Sequence, residues 1–250
     1  MSVGASLLVL VAGIAAGLIN TVVGSGTLIT FPALLAVGLP PVTANVSNTV
    51  GLFPGSFVGA YGYRRELAGQ RPRALSLGVA SVLGGISGAV LLLVLPASAF
   101  RDVVPALIGL ALVLVVLGPR INSWAARRGH AVSDTVRWPL WLATMGTGVY
   151  GGYFGAAQGV VLMGFFGILL DDTVQRHNAL KNVLAGLVNL VAAVVFVLTS
   201  HIDWLAAVLI AVGAMIGALI GARVGRRLSP TVLRGLIVVI GCAAIVNLLR

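Results

Sequence analysis

Ten stretches of the chain run almost uninterrupted in apolar residues, at 3–23, 28–37, 42–63, 74–95, 103–117, 140–157, 160–170, 174–198, 204–222 and 232–249. None alternates apolar and polar residues with period two, so the pattern predicts helices and not the strands of a barrel. The second and seventh stretches are too short to cross a bilayer, which takes about 20 residues. Each follows a glycine-rich break, Gly24-Ser25-Gly26 or Gly155-Ala156-Ala157-Gln158-Gly159. A broken helical hairpin is predicted at both places, a form tolerated at membrane depth only where protein or a wet cavity covers it.

The two halves of this pattern repeat one another. Gly13, Gly17, Gly24, Phe31 and Leu35 recur 135 positions later as Gly148, Gly152, Gly159, Phe166 and Leu170. Thr43-Ala44-Asn45-Val46-Ser47-Asn48 is answered by His177-Asn178-Ala179-Leu180-Lys181-Asn182, 134 positions on. An odd number of crossings per copy would invert the second relative to the first. The expected fold is therefore an all-α polytopic membrane protein of two inverted-topology repeats, 1–119 and 138–250, each of about five segments and each opening on a broken hairpin. Matched helix breaks in inverted repeats point to a secondary transporter with its site where the copies meet.

Composition agrees: 59% of residues are hydrophobic and 9% are charged, and mean hydropathy is +1.09. A soluble domain carries roughly a quarter of its residues as charges. The net charge of +10 does not signal nucleic acid. Its arginines cluster in connecting loops at 64–73, 120–137 and 223–227, with no soluble basic face for a duplex. The positive-inside rule makes those loops cytoplasmic, places both termini outside, and makes 120–137 a basic linker between the repeats. Cys242 stands alone and is expected to be a small buried hydrophobe. Glycines four apart, Gly213, Gly217, Gly221 and Gly225, with Gly84 and Gly88, are expected to let helices pack closely.

Lys181 is the only lysine, and it lies about 10 Å into an apolar stretch at 1.5 Å per residue. At mid-helix it costs about 2.5–3.5 kcal/mol on insertion scales. Three things would offset that: a snorkelled position, a carboxylate partner, or a bound anion. The six acids, Glu66, Asp102, Asp134, Asp171, Asp172 and Asp203, all sit in loops or at edges. Asn178, Asn182 and Asn189 share the lysine's stripe, and the matching helix offers Asn45, Ser47, Asn48 and Thr49. At the hairpins, Asn20, Thr21, Ser25, Thr27 and Gln158 surround helix starts whose amides and positive dipole end favour anions. The expected substrate site is Asn20, Thr21, Ser25, Asn45, Asn48, Gln158, Asn178, Lys181 and Asn182. His177 is a candidate for proton coupling, since an imidazole titrates near neutrality. The set calls for no metal and no cofactor, and without intramembrane carboxylates or a serine facing a histidine it is not an enzyme's.

These residues carry a resemblance. Gly17-Leu18-Ile19-Asn20-Thr21-Val22-Val23-Gly24-Ser25-Gly26-Thr27, followed by Ala44-Asn45-Val46-Ser47-Asn48, resembles the first half of the TauE/SafE sulfite-exporter family. Gly151-Gly152-Tyr153-Phe154-Gly155-Ala156-Ala157-Gln158-Gly159, with Asn178-Ala179-Leu180-Lys181-Asn182-Val183, resembles its second signature. The resemblance implies a bacterial inner-membrane permease for sulfite, thiosulfate or organosulfonates. The expected partners are thus a small sulfur-containing anion and the lipid bilayer, with a homodimer left open. A passive anion channel and a permease for a non-sulfur organic anion are the competing expectations.

Overall fold

The computed structural model describes residues 1–127, 138–225 and 230–248, and ten helices lie among them. They are α1 (Val3–Val22), α2 (Thr27–Ala36), α3 (Pro41–Gly62), α4 (Arg71–Val94), α5 (Ala97–Arg127), α6 (Trp138–Tyr153), α7 (Gln158–Leu169), α8 (Val174–Thr199), α9 (Trp204–Val224) and α10 (Pro230–Leu248). Five of them, α1, α4, α8, α9 and the Ala97–Arg120 part of α5, are long and apolar enough to cross a membrane. The chain is a multi-pass membrane protein.

Local chemistry sets several of the boundaries. Ser2 caps α1 by accepting from the Ala5 amide, Thr173 caps α8 through the Arg176 amide, and Asp203 caps α9 through the Ala206 amide. Pro41 opens α3 at the first position, where a missing N–H costs nothing. Helix α5 runs on through Pro119 to Arg127, so the first residues of the basic linker are helical. Residues 128–137 of that linker lie outside the described residues.

Helix packing exchanges the halves. α1 lies on α9, and α6 lies on α4; α3 meets α9, as α8 meets α4; α2 meets α10, as α7 meets α5; α3 and α8 meet each other. Each opening helix therefore packs on the fourth helix of the other half.

Glycine makes the closest of these contacts possible. A Cβ on Gly213 would lie 2.6 Å from the Leu10 carbonyl oxygen, and one on Gly221 would lie 3.0 Å from that of Leu18. One on Gly84 would lie 2.9 Å from the Gly148 Cα, and one on Gly152 would reach the Gly85 carbonyl. Small residues at spacing four bring backbones together in a lipid solvent, where apolar burial gives no preference for protein over lipid. Cys242 departs from expectation: it is exposed on the outer side of α10. In a bilayer that side can face acyl chains, so an apolar thiol there gives up nothing.

Candidate functional site

The two breaks share one local geometry. After α1, the amides of Val23 and Gly24 both donate to the Ile19 carbonyl, at 2.7 and 3.0 Å. After α6, those of Phe154 and Gly155 both donate to the Tyr150 carbonyl, at 3.0 Å each. Gly24 and Gly155 hold positive φ, +90° and +74°, a conformation that costs glycine nothing. Structurally equivalent bends are therefore 131 positions apart, and the spacing of 135 read from the glycines pairs Gly24 with the wrong residue. The offset then grows by two, because α7 has 12 residues and α2 has 10. Past the hairpins, the starts of α3 and α8, of α4 and α9 and of α5 and α10 are all 133 apart. Gly159 is the physical partner of Gly24, its amide donating to the Gly24 carbonyl at 3.0 Å.

Lys181 stands at this junction. It is 1% exposed, and its ammonium donates to the carbonyls of Asn20 at 2.9 Å and Thr21 at 3.3 Å. Asn178 and Asn182 donate to the same Thr21 carbonyl at 3.0 and 3.4 Å. A helix end buried inside the protein leaves its last carbonyls unpaired and its negative dipole end exposed. The lysine and its two amides cover that end of α1. The charge is therefore offset by peptide carbonyls, and not by a snorkelled position or a carboxylate. The lysine stem crosses Gly159, where a Cβ would lie 2.9 Å from Lys181 Cδ.

Helix α3 answers in part. Asn45, 133 positions before Asn178, donates to the Tyr153 carbonyl at the end of α6, at 2.9 Å. Asn48, 133 positions before Lys181, turns instead onto its own hairpin. It accepts from the Thr30 hydroxyl and donates to the Thr27 hydroxyl at 3.3 Å. Ser47 accepts from the Asp203 amide at 2.9 Å, Thr49 bonds back to the Asn45 carbonyl, and Asn20 reaches Ser56 at 3.3 Å. Asn189 is half-buried, two turns beyond this group.

Several enclosed polar groups at the junction have no partner: Ser25 Oγ, Gln158 Nε2, Asn45 Oδ1 and Asn178 Oδ1. Among the described residues, the amides of Ser25, Gly26, Thr27, Ala156 and Ala157 also meet no main-chain acceptor. Buried polar groups are paired as a rule, and this cluster of exceptions is the candidate site. Gln158 folds back on α6, its carboxamide lying against Gly151. His177 is buried one turn before Lys181, tilted against the Phe166 ring at 5.8 Å, with Nε2 unpaired.

One cluster was not anticipated. Asp172 accepts from Arg73 at 3.0 Å and from Arg176 at 2.6 Å. Gln70 donates to the Arg176 carbonyl at 3.1 Å, and the Arg176 guanidinium donates to the Ala68 carbonyl at 3.0 Å. These bonds tie the 64–70 loop of the first half to the start of α8. Burial alone would push the Asp172 carboxyl up; hydrogen bonds from Arg176, the Thr173 amide and Arg73 outweigh it and hold the group below its ordinary range. The loop arginines carried no positional signal in the sequence beyond a side of the membrane.

The family model "Sulfite exporter TauE/SafE" matches residues 9–248. The "Probable membrane transporter protein YfcA" of Escherichia coli K12 is 27% identical over 201 residues, covering 79% of this chain and 72% of the relative. The "Probable membrane transporter protein ORF9" of Sinorhizobium sp is 28% identical over 240 residues, covering 96% and 90%. A "Probable membrane transporter protein" of Haemophilus influenzae is 24% identical over 243 residues, covering 96% and 93%. With helices of spanning length and an unpaired polar junction at two broken hairpins, the chain belongs to the TauE/SafE family and is a membrane transporter, not an enzyme.

Proposed function

We propose that the protein is a secondary-active transporter of small sulfur-containing anions, sulfite, thiosulfate or an organosulfonate, in a bacterial inner membrane. The observation that carries this reading is the Lys181 ammonium at the meeting of two broken hairpins that also carry an unpaired Ser25 hydroxyl, an unpaired Gln158 amide nitrogen and unpaired main-chain amides. The side-chain donors and α2's amide end suit an oxyanion. Ser25, Thr27, Gln158 and Lys181 would hold the anion, with Asn20 and Thr21 presenting the carbonyls on which the ammonium rests between cycles. Asn178 and Asn182 would hold that helix end in place. The family's description as a sulfite exporter supports the choice of substrate class.

The reciprocal packing of the halves supports two inverted repeats and alternating access. The basic loops would lie in the cytoplasm, with both termini outside. The 64–70 loop tied to Asp172 and Arg176 would then close the cytoplasmic side, and Ser47 on the Asp203 amide the other.

The test is uptake of radiolabelled sulfite and thiosulfate by purified protein in liposomes. Saturable flux that Lys181→Met abolishes supports the reading. Unsaturable single-channel currents would favour the passive pore, and stabilisation by lactate alone would favour a non-sulfur organic anion.

A further inference from the structure

The two hairpins differ in one respect that their shared geometry makes visible. At the end of α1, the carbonyls of Asn20 and Thr21 receive the Lys181 ammonium. Their counterparts at the end of α6, 131 positions on, are Gly151 and Gly152. Among the described residues, no main-chain amide reaches the carbonyls of Gly151, Gly152 or Tyr153 past the helix end. The α3 residue in Lys181's place is Asn48, which carries no charge and is turned away onto Thr27 and Thr30. Asn45 binds the Tyr153 carbonyl through its nitrogen, so the oxygen of the same amide must lie within a few ångströms of that carbonyl. That oxygen is enclosed, fully buried and unpaired. The Gln158 carboxamide lies against Gly151, with its nitrogen unpaired.

An ammonium at one helix end thus has no counterpart at the other, where carbonyl oxygens and the Asn45 amide stand at a negative dipole end. We propose that the carbonyl end of α6, with the Asn45 side-chain oxygen, binds a monovalent alkali cation, which takes there the part that the Lys181 ammonium takes at the end of α1. Uncharged carbonyl and amide oxygens suit a singly charged hard cation, whereas calcium sites recruit carboxylates. Half-helix carbonyl ends are where transporters with broken helices hold coupling cations. The inference rests on the transporter reading for its purpose, since a cation bound beside an anion would let both cross with their charges offset. It does not rest on that reading for its geometry.

The test reads the cation without the anion. Purified protein in detergent is melted in sodium chloride against choline chloride at constant ionic strength, and binding of radioactive sodium is measured directly. The parent is expected to show a saturable rise in melting temperature with sodium. Asn45→Leu should raise the half-saturating concentration at least tenfold. If Asn45→Leu fails to fold, Asn45→Asp decides: it adds a carboxylate oxygen at the same place and should lower that concentration several-fold. Asn48→Lys should put an ammonium in the site and remove the response. Equal melting of the parent in sodium and choline would overturn the proposal. So would an unchanged half-saturation in the Asn45 variants, or flux driven by a pH gradient and indifferent to sodium. Sulfite stabilisation measured in choline reports the anion site separately, so its absence would count against the substrate and leave the cation result standing.

Discussion

Gly159 gives its amide proton to the carbonyl of Gly24 at 3.0 Å, so two helix breaks from opposite halves of the chain share a main-chain hydrogen bond. A Cβ on Gly159 would stand 2.5 Å from the Gly24 Cα and 3.0 Å from its carbonyl oxygen. Gly159→Ala should therefore push the bends apart, at about 1–3 kcal/mol for overpacking, and reduce anion flux more than tenfold. Gly24→Ala should be worse, because a positive φ adds roughly 1–2 kcal/mol for any residue with a Cβ. Thermal melts and liposome flux on both variants give the order.

Lys181→Met removes the charge and leaves the Asn20 carbonyl without its donor, while Asn178 and Asn182 still cover Thr21. Loss of a hydrogen bond from a charged donor costs about 1.5–3 kcal/mol, so the variant should insert and purify yet carry no sulfite. Lys181→Arg should retain partial flux, because a planar fork does not replace a compact ammonium on two adjacent carbonyls. Transport at parental level by Lys181→Met would remove the lysine from the substrate site.

A matched pair of glycines separates close packing from helix propensity. Gly217 faces the Ile14 carbonyl of α1 with no room for a methyl group, whereas nothing lies within 4 Å of a Cβ on Gly109. Gly217→Ala should lower the melting temperature and loosen α1 from α9. Gly109→Ala should be neutral or stabilising by up to about 1 kcal/mol. Melting curves of the two alanine variants in the same detergent check the contrast.

Acid should release the Asp172 cluster. Its carboxyl is held below the ordinary range in the folded state, so the stability it contributes is complete above the unfolded value near 3.9. That contribution is lost as pH falls through the lower, folded value. The parent should thus lose more stability than Asp172→Asn on going from neutral pH into that acid window. At neutral pH Asp172→Asn should already be the less stable, because it leaves Arg73 and Arg176 without their shared acceptor. Melting curves of both proteins across the acid range settle it.

The ten helices were legible because a bilayer demands long apolar runs, and their ends fell within a few residues of the observed ones, α5 excepted. The glycine stripes were legible for the same reason: small residues at spacing four suit close packing of helices in lipid. Register was not. Gly24 and Gly159 each stand in a convincing glycine motif, and only φ and the bonds to Ile19 and Tyr150 show that they are partners and not equivalents. The partners of Lys181 were hidden too, since main-chain carbonyls at a helix end carry no residue signature. Asp172 was seen as an edge acid; that Arg73 would come to it from 99 positions away depends on how α4 docks, which periodicity does not encode.

The interleaving of α1 with α9 and of α6 with α4 also bears on how the molecule is made. The ribosome delivers α1 long before α9, so a glycine-lined flank must wait among lipids, unmatched, until about 200 residues have followed. Neither half can then mature as a separate unit, and the last third of translation completes both at once.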